Sequence, residues 1–141
     1  MAETTIHVDI VSAEGEIFSG PAKMVFAPAS QGELGIAPRH APLLTLLKAG
    51  EVRVQTPDGA EQFFFVGGGA LEVQPNRVTV LADTALRAKD MDEAAALAAK
   101  QRAEEALRDK VGHIEQAEAL AELARAAAQL RMIERLRKGR G

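Results

Sequence analysis

The chain has no cysteine, tryptophan or tyrosine. Without cysteine it cannot form a disulfide scaffold, a thiolate zinc site, an iron–sulfur cluster or a cysteine nucleophile. No apolar stretch of the sequence approaches the ~20 residues that a helix needs to span a bilayer. Residues 1–5 also lack the basic start and apolar run of a signal peptide. We therefore expect a soluble, cytosolic chain that reaches a membrane only through a partner.

A strong net charge is also missing, since 17 basic and 20 acidic residues leave a formal charge of −3. A charge of that size gives no reason to expect nucleic-acid binding. The charge is unevenly distributed along the chain. Residues 1–86 hold 5 basic and 10 acidic groups (net −5), whereas residues 125–141 hold 6 and 1 (net +5). The chain therefore ends in a basic segment on an otherwise acidic protein.

Proline and phenylalanine are confined to the first 75 residues, which hold all 6 prolines and all 5 phenylalanines. Alanine fills 15 of the 55 positions in residues 87–141. Proline punctuates turns and alanine is the best helix former, so this division predicts a β plus α fold. We expect an antiparallel β-sandwich of about 8–10 short strands over residues 1–86. An antiparallel two-helix hairpin would follow over residues 87–141.

Alternation of apolar and polar residues defines the expected strands. Ile6, Val8 and Ile10 alternate with polar neighbours, as in a half-buried strand. Pro57-Asp58-Gly59 and Pro75-Asn76 have the chemistry of turns between strands. The run Gly67–Gly69 predicts a bulge or a close approach of the backbone, because glycine has no side chain to keep it away.

Two helices are predicted, over about residues 91–110 and 114–138. Asp90 is the expected N-cap of the first, with Glu93 in a capping-box position, and Gly112 is the expected C-terminal signal. The expected seam between the helices is made of small and aliphatic residues: Ala94, Leu97, Ala98, Ala103, Leu107, Leu120, Leu123, Ala127, Leu130 and Ile133. Alanine buries little apolar surface, so the hairpin is either a weakly held appendage that can open or a permanently docked one.

No residue pattern supports an active site. The histidines (His7, His40 and His113) show no metal-ligand spacing, and no nucleophile motif or phosphate-binding loop is present. We expect His7 and His113 to be solvated or structural. His40 lies between two prolines in a loop whose geometry should be fixed. The sequence thus favours a binding or regulatory protein that needs no cofactor or metal. An enzyme using His40 with Glu33 or Asp83 is the weakest alternative.

Residues 32–44 read GELGIAPRHAPLL and resemble the GELGI-xPxHAPL signature of the epsilon subunit of bacterial F-type ATP synthases. Other segments resemble that family in the same order along nearly the whole chain: Val11–Glu14, Phe18–Gly20, Gly67–Val73, Val78–Asp83, Ala121–Ala124 and Ala128–Arg131.

This resemblance implies a non-catalytic subunit of the central rotor stalk, bound to the gamma subunit, the c-subunit ring and the alpha/beta catalytic head. Such a subunit couples proton-driven rotation of the c-ring to ATP synthesis, and its extended hairpin inhibits ATP hydrolysis. It would lie peripherally at the cytoplasmic face of the bacterial inner membrane. The alternative is a free-standing interaction module with a sandwich scaffold and a helical hairpin.

The resemblance also implies roles for particular residues. Glu33, His40 and Ser12 are expected at the contact with the c-ring and gamma. The less favoured alternative for the Gly-Glu-Leu-Gly run is a tight turn whose glycines matter more than its acid. The basic end of the second helix is expected to meet an acidic segment of the catalytic head, or simply to complement the helix dipole. Its residues are Arg125, Arg131, Arg135, Arg137, Lys138 and Arg140.

One motif departs from the family. Some members bind ATP at the hairpin through Ile/Leu-Asp-x-x-Arg-Ala, which here reads Met91-Asp92-Glu93-Ala94-Ala95-Ala96. Asp92 is kept, but Ala95 stands at the arginine position, and no guanidinium is left there for bidentate phosphate binding. We therefore expect weak or absent ATP binding, with Asp92 as the sole remaining nucleotide contact.

Overall fold

The computed structural model describes residues 4–109 and 113–139. The chain divides into two compact units between Lys89 and Asp90. The first holds eight strands: β1 (Ile6–Ser12), β2 (Gly15–Ala22), β3 (Met24–Ala29), β4 (Gly32–Ile36), β5 (Leu43–Gln55), β6 (Glu61–Gln74), β7 (Arg77–Ala82) and β8 (Ala85–Arg87). A short 3₁₀ turn (Ala88–Asp90) follows. The second holds two helices, α1 (Glu93–Arg108) and α2 (His113–Gly139).

The strands pair in the order β2-β1-β7-β6-β5-β3-β4, with β8 added beside β6. All the pairs are antiparallel except β1 with β7, which is parallel. The predicted β-sandwich is confirmed, with this one pair as an exception to its antiparallel character. The pair joins the first strand of the unit to one of its last. The alternation of apolar and polar residues within each strand could not predict that these two distant strands run parallel.

Strands β5 and β6 are longer than the short strands that the sequence suggested, at 13 and 14 residues. The first part of β6 pairs with β8 and its second part with β7, and Gly67–Gly69 lies at the change. Gly69 has a φ of +136°, and a Cβ there would lie 2.1 Å from the carbonyl oxygen of Leu81. The glycine run therefore serves a close backbone approach, one of the two predicted possibilities, and the strand continues through it.

The core of the sandwich is apolar and follows the predicted period of two. Ile6, Val8 and Ile10 are fully buried, as are Val78 and Val80 on the paired strand β7. Phe64 packs in the same cluster, with its ring centroid 5.4 Å from that of the partly buried Phe18. Burial of alternate residues thus fixes the register of β1 against β7.

Helix α1 begins later than predicted, and Asp90 is not its N-cap. Asp92 occupies the cap position with extended backbone angles, and its Oδ1 accepts a hydrogen bond from the amide of Ala95 at 3.2 Å. Asp90 lies in the preceding 3₁₀ turn. The prediction was wrong by two positions because both aspartates can cap, and only the backbone conformation decides between them. The expected signal at Gly112 lies outside the described residues.

The two helices contact each other and run antiparallel, because the start of α1 at Glu93 lies beside the end of α2 at Arg137. The buried residues of the described helices are Ala96, Ala103, Ala119, Ala126, Ala128 and Met132. Ala103 belongs to the predicted seam, whereas three other predicted seam residues are exposed: Ala94, Leu97 and Leu120. The remaining predicted seam residues are half-buried: Ala98, Leu107, Leu123, Ala127, Leu130 and Ile133.

The buried face of α1 passes through Ala96 and Ala103, so Leu97 lies one residue, or about 100° of helical rotation, away from it. Two leucines that were expected to hold the helices together are therefore about half exposed. Among the described residues of the helices, Met132 is the one large side chain that is buried, and the other buried side chains are alanines.

Candidate functional site: an exposed face of the β-sandwich

The Gly-Glu-Leu-Gly run occupies the first four residues of strand β4 and directly follows the turn at Ser30 and Gln31. Gly32 has a φ of +137°, a backbone conformation that residues with a side chain rarely adopt. Two residues earlier, the amide of Ser30 donates a hydrogen bond to the Leu46 carbonyl at 2.9 Å. Glu33 is exposed next to this turn. It borders an open cleft of about 290 Å³ lined by Ala29, Gln31, Gly32, Glu33, Leu34, Leu43 and Thr45.

The loop between β4 and β5 holds His40 by several hydrogen bonds. The amide of Arg39, a non-glycine residue with a φ of +67°, donates to the Pro75 carbonyl at 2.7 Å. The His40 amide donates to the Ala37 carbonyl at 3.2 Å. The Nδ1 of His40 lies 2.7 Å from the carbonyl oxygen of Ala41, which can only accept. Nδ1 therefore carries a hydrogen, and Nε2 is the ring nitrogen left for an outside partner.

Ser12 builds the turn between β1 and β2. Its Oγ accepts a hydrogen bond from the amide of Glu14 at 3.2 Å and donates to the carbonyl of Gly15 at 3.4 Å. The side chain is half-buried. Its hydroxyl is thus engaged within its own turn, and substitution would alter the turn as well as any outside contact.

Strand register places the three predicted contact residues near the two ends of the layer formed by β1, β7, the second part of β6 and the first part of β5. Ser12 follows Val11, which pairs with Leu81, and the turn before Glu33 is bonded to Leu46. His40 lies in the loop that is bonded to Pro75 at the other end of β6 and β7. A contact that used Ser12, Glu33 and His40 together would have to extend along the length of these strands.

An apolar row, not predicted from the sequence, connects the central strands on the outer face of this layer. Cross-strand register aligns Val11, Leu81, Ala70 and Leu46, on β1, β7, β6 and β5. Leu46 is 67% exposed and Leu81 52%, and the nearby Leu44 is 73% exposed. We call Leu44, Leu46, Ala70, Leu81 and Val11 the outer apolar row. The sequence of residues 43–47, LLTLL, could have indicated this row. A strand with leucines on both faces can bury only one face in the core of the sandwich, so the leucines on the other face are left exposed.

A polar cluster centred on Asp9 lies on the strands β1, β2 and β7. Ser19 Oγ donates to Asp9 Oδ1 at 2.7 Å, His7 Nε2 lies 3.0 Å from the same oxygen, and the guanidinium of Arg77 donates to Oδ2. Burial alone raises the pKa of Asp9, but the hydrogen bonds from Ser19 and His7 and the charges of His7 and Arg77 lower it below its usual value. His7 is thus structural, as expected, and the buried carboxylate was missed.

Among residues 4–109 and 113–139, no three histidine or acidic side chains are grouped as metal ligands. Asp92, the expected nucleotide contact, uses Oδ1 to cap α1. His113 begins α2, and its side chain lies outside the described part.

The basic end of α2 is already partly paired within the hairpin. Arg137 forms an ion pair with Glu93 of α1, and Lys138 pairs with Glu134 one turn earlier at 3.2 Å. Arg131 and Arg135 are exposed and Arg125 is half-buried. Arg140 lies outside the described residues.

Comparison with known proteins places this geometry in a family. The model of the ATP synthase delta/epsilon chain β-sandwich domain matches residues 5–88, and that of the delta/epsilon long α-helix domain matches residues 89–134. The ATP synthase epsilon chain of Nitrosococcus oceani is 68% identical over 97% of this chain and 98% of its own length. That of Alkalilimnicola ehrlichii is 62% identical over 96% of each chain.

A solved chain from the Euglena gracilis mitochondrial ATP synthase, in a structure of OSCP, F1 and c-ring, shares the fold with a TM-score of 0.78. It is 16% identical, and the match covers 89% of this chain and 79% of that one. No helix within the described part of the chain is long and apolar enough to cross a membrane. The two domain matches and the high identity over nearly the full length show that this chain belongs to the family of ATP synthase epsilon chains.

Proposed function

We propose that this chain works in the central stalk of a bacterial F-type ATP synthase, where it couples proton-driven rotation of the c-ring to ATP synthesis in the alpha/beta head. The observation that carries the proposal is the match to epsilon chains over both units of the chain. The related mitochondrial chain was solved with F1 and a c-ring, which supports the same partners here.

The sandwich contacts the gamma subunit and the c-ring through its exposed face. Glu33 and Nε2 of His40 supply polar contacts, but an exposed ion pair contributes only ~0–1 kcal/mol. Full burial of a leucine contributes ~1.5–3 kcal/mol. The outer apolar row, with Leu44 and Leu46 mostly exposed, therefore supplies more of the binding free energy than Glu33 does. Ser12 shapes the adjoining turn.

The subunit is non-catalytic and needs neither cofactor nor metal. The described residues combine no nucleophile with a base and an oxyanion site, and the buried Asp9 is occupied by structural hydrogen bonds. The protein lies peripherally at the cytoplasmic face of the inner membrane, held there by the c-ring. It does not bind nucleic acid.

The hairpin regulates the complex by inhibiting ATP hydrolysis when it extends. Because most of the buried residues of the helices are alanines, separating the helices requires little free energy. Each helix remains intact, since alanine favours the helical conformation. In the extended form the basic end of α2 contacts an acidic segment of the catalytic head. The residues of this contact are Arg125, Arg131, Arg135, Arg137 and Lys138.

Co-purification tests the assembly. A tagged chain should bring gamma, the c-ring and the catalytic head from detergent-solubilised membranes. The variant Leu46→Glu should lower that recovery about tenfold or more, because it places a charge in the outer apolar row. Gln62→Glu, a change at another exposed position, on β6 outside the row, is the matched control. A wild-type chain found only in the soluble fraction, without these partners, would instead support the free-standing interaction module.

Truncation after Lys89 tests the regulation. It removes the second unit and leaves the first with all its strands, including Arg87, whose guanidinium donates to the Ile17 carbonyl. The assembled complex should then hydrolyse ATP faster than the complex with the full chain. Unchanged hydrolysis, with the truncated chain still assembled, would show that the hairpin does not inhibit.

A further inference from the structure

Ion pairs between described residues cross from one helix of the hairpin to the other. Glu93 in the first turn of α1 accepts a hydrogen bond from the guanidinium of Arg137 in the last turn of α2. Arg102 of α1 lies 3.8 Å from Glu122 of α2. The acid is on α1 in the first pair and on α2 in the second. A shift of one helix along the other by a turn would separate the partners of both pairs, so the two pairs favour the observed register.

The pair Glu93–Arg137 lies at the open end of the hairpin, where no loop joins the helices. It connects residues that are 44 positions apart, and the nearest buried residues are Ala96 on α1 and Met132 on α2. Between these two residues and the open end, no described residue of either helix is buried, so packing holds the last turn at this end weakly. The ion pair, although exposed, therefore contributes to keeping that turn closed.

We propose that Glu93 and Arg137 form a terminal latch, which holds the hairpin closed and conceals a cation needed in its extended form. This inference rests on the proposed inhibitory contact, in which Arg137 meets the catalytic head. In the closed hairpin the guanidinium is bound to the Glu93 carboxylate. Opening frees it for a carboxylate of another chain. Arg137 thus exchanges one acidic partner for another, and the closed and extended forms exclude each other.

The latch is tested first on the isolated full-length chain, without the other subunits. Because the chain has no cysteine, nitroxide labels can be attached specifically at cysteines introduced at Ala94 and Ala124, which are exposed residues of α1 and α2. Double electron–electron resonance then measures the ratio of open to closed hairpins. Glu93→Gln and Arg137→Gln should each raise that ratio about two- to fivefold, the range open to an exposed pair.

The double variant should open no further than either single variant, since both remove the same interaction. High salt should open the wild-type hairpin and have less effect on the variants. Glu134→Gln is the matched control, because it breaks a similarly exposed pair, with Lys138, that lies within α2 alone. Additive effects of the two variants, or an equal effect of Glu134→Gln, would overturn the latch.

ATP hydrolysis by the assembled complex separates the latch from the proposed inhibition. Glu93→Gln should lower hydrolysis, because more hairpins extend with Arg137 intact. Arg137→Gln should lower it less, because the extended form loses one contact. If the labels show opening but truncation after Lys89 leaves hydrolysis unchanged, the latch stands and the inhibitory role fails. If truncation raises hydrolysis but Glu93→Gln does not open the hairpin, the inhibitory role stands and the latch fails.

Discussion

The guanidinium of Arg77 on β7 donates a hydrogen bond to the carboxylate of Asp9 on β1, across the parallel pair that these two strands form. The two residues are 68 positions apart. Ser19 on β2 donates to the other oxygen of the same carboxylate, so one buried acid joins three adjacent strands, including the edge strand β2. The edge of the sheet is therefore held by polar contacts as well as by backbone pairing.

The Asp9 cluster predicts a pH-dependent loss of stability. Asp9→Asn should lower the free energy of unfolding by ~1.5–3 kcal/mol at pH 7, because hydrogen bonds to a charged group are lost. The pKa of Asp9 is lowered by folding from an ordinary value of 3.8, so this stabilisation is complete above that value. It is lost as the pH falls below it, through the pKa of the folded state.

Urea denaturation at pH 7 and at pH 3 should therefore show a large difference between wild type and Asp9→Asn at the higher pH and a smaller one at the lower. Glu72→Gln removes an exposed acid on β6, the strand beyond β7, and is the control, which should change stability by less than ~0.5 kcal/mol. A difference between wild type and Asp9→Asn that is independent of pH would show that the charge of Asp9 is unimportant.

The glycine run in β6 predicts a severe effect of a single methyl group. Gly69→Ala places a Cβ 2.1 Å from the Leu81 carbonyl oxygen at a φ of +136°, so both a clash and backbone strain oppose it. We expect a loss of ~3 kcal/mol or more in chemical denaturation. Gly59→Ala separates the two causes, since its φ is +90° but no atom lies within 4 Å of the added Cβ. Equal effects at both positions would mean that the close approach to Leu81 contributes nothing.

The two aspartates before α1 predict unequal helix stability. Asp92→Ala removes the side chain that accepts from the Ala95 amide and should destabilise α1 by ~1 kcal/mol. Hydrogen exchange of the first-turn amides of α1 should accelerate about fivefold. Asp90→Ala is the control, as Asp90 lies in the 3₁₀ turn. A larger effect from Asp90→Ala than from Asp92→Ala would show that Asp90, the residue predicted from the sequence, is the N-cap of α1.

The same cap bears on nucleotide binding. Ala95 stands where ATP-binding relatives are expected to have arginine, and Asp92 already accepts a backbone hydrogen bond. Calorimetric titration of the full-length chain with ATP should show no micromolar affinity. Ala95→Arg tests whether the missing arginine is the cause of weak ATP binding, because it restores a guanidinium at that position. Micromolar binding by the wild-type chain would contradict the prediction.

The sequence by itself determined the features that depend on neighbouring residues. Alternation at Ile6, Val8 and Ile10 marked the inner face of a strand, and the change from proline and phenylalanine to alanine separated the sandwich from the helices. These patterns are local, since a strand repeats every two residues and a helix every 3.6. The run at residues 32–44 likewise indicated the family, because all the residues of that signature are consecutive in the chain.

Only the tertiary structure decided what depends on segments far apart in the sequence. The parallel pairing of β1 with β7 brought Arg77 to Asp9, and the register of four strands aligned Leu46 with Leu81 on the outer face. The rotation of α1 against α2 put Ala96, rather than Leu97, at the buried face. Each outcome is set by how whole elements pack against one another, and a shift of one residue in register or about 100° in helix rotation would leave the local pattern unchanged.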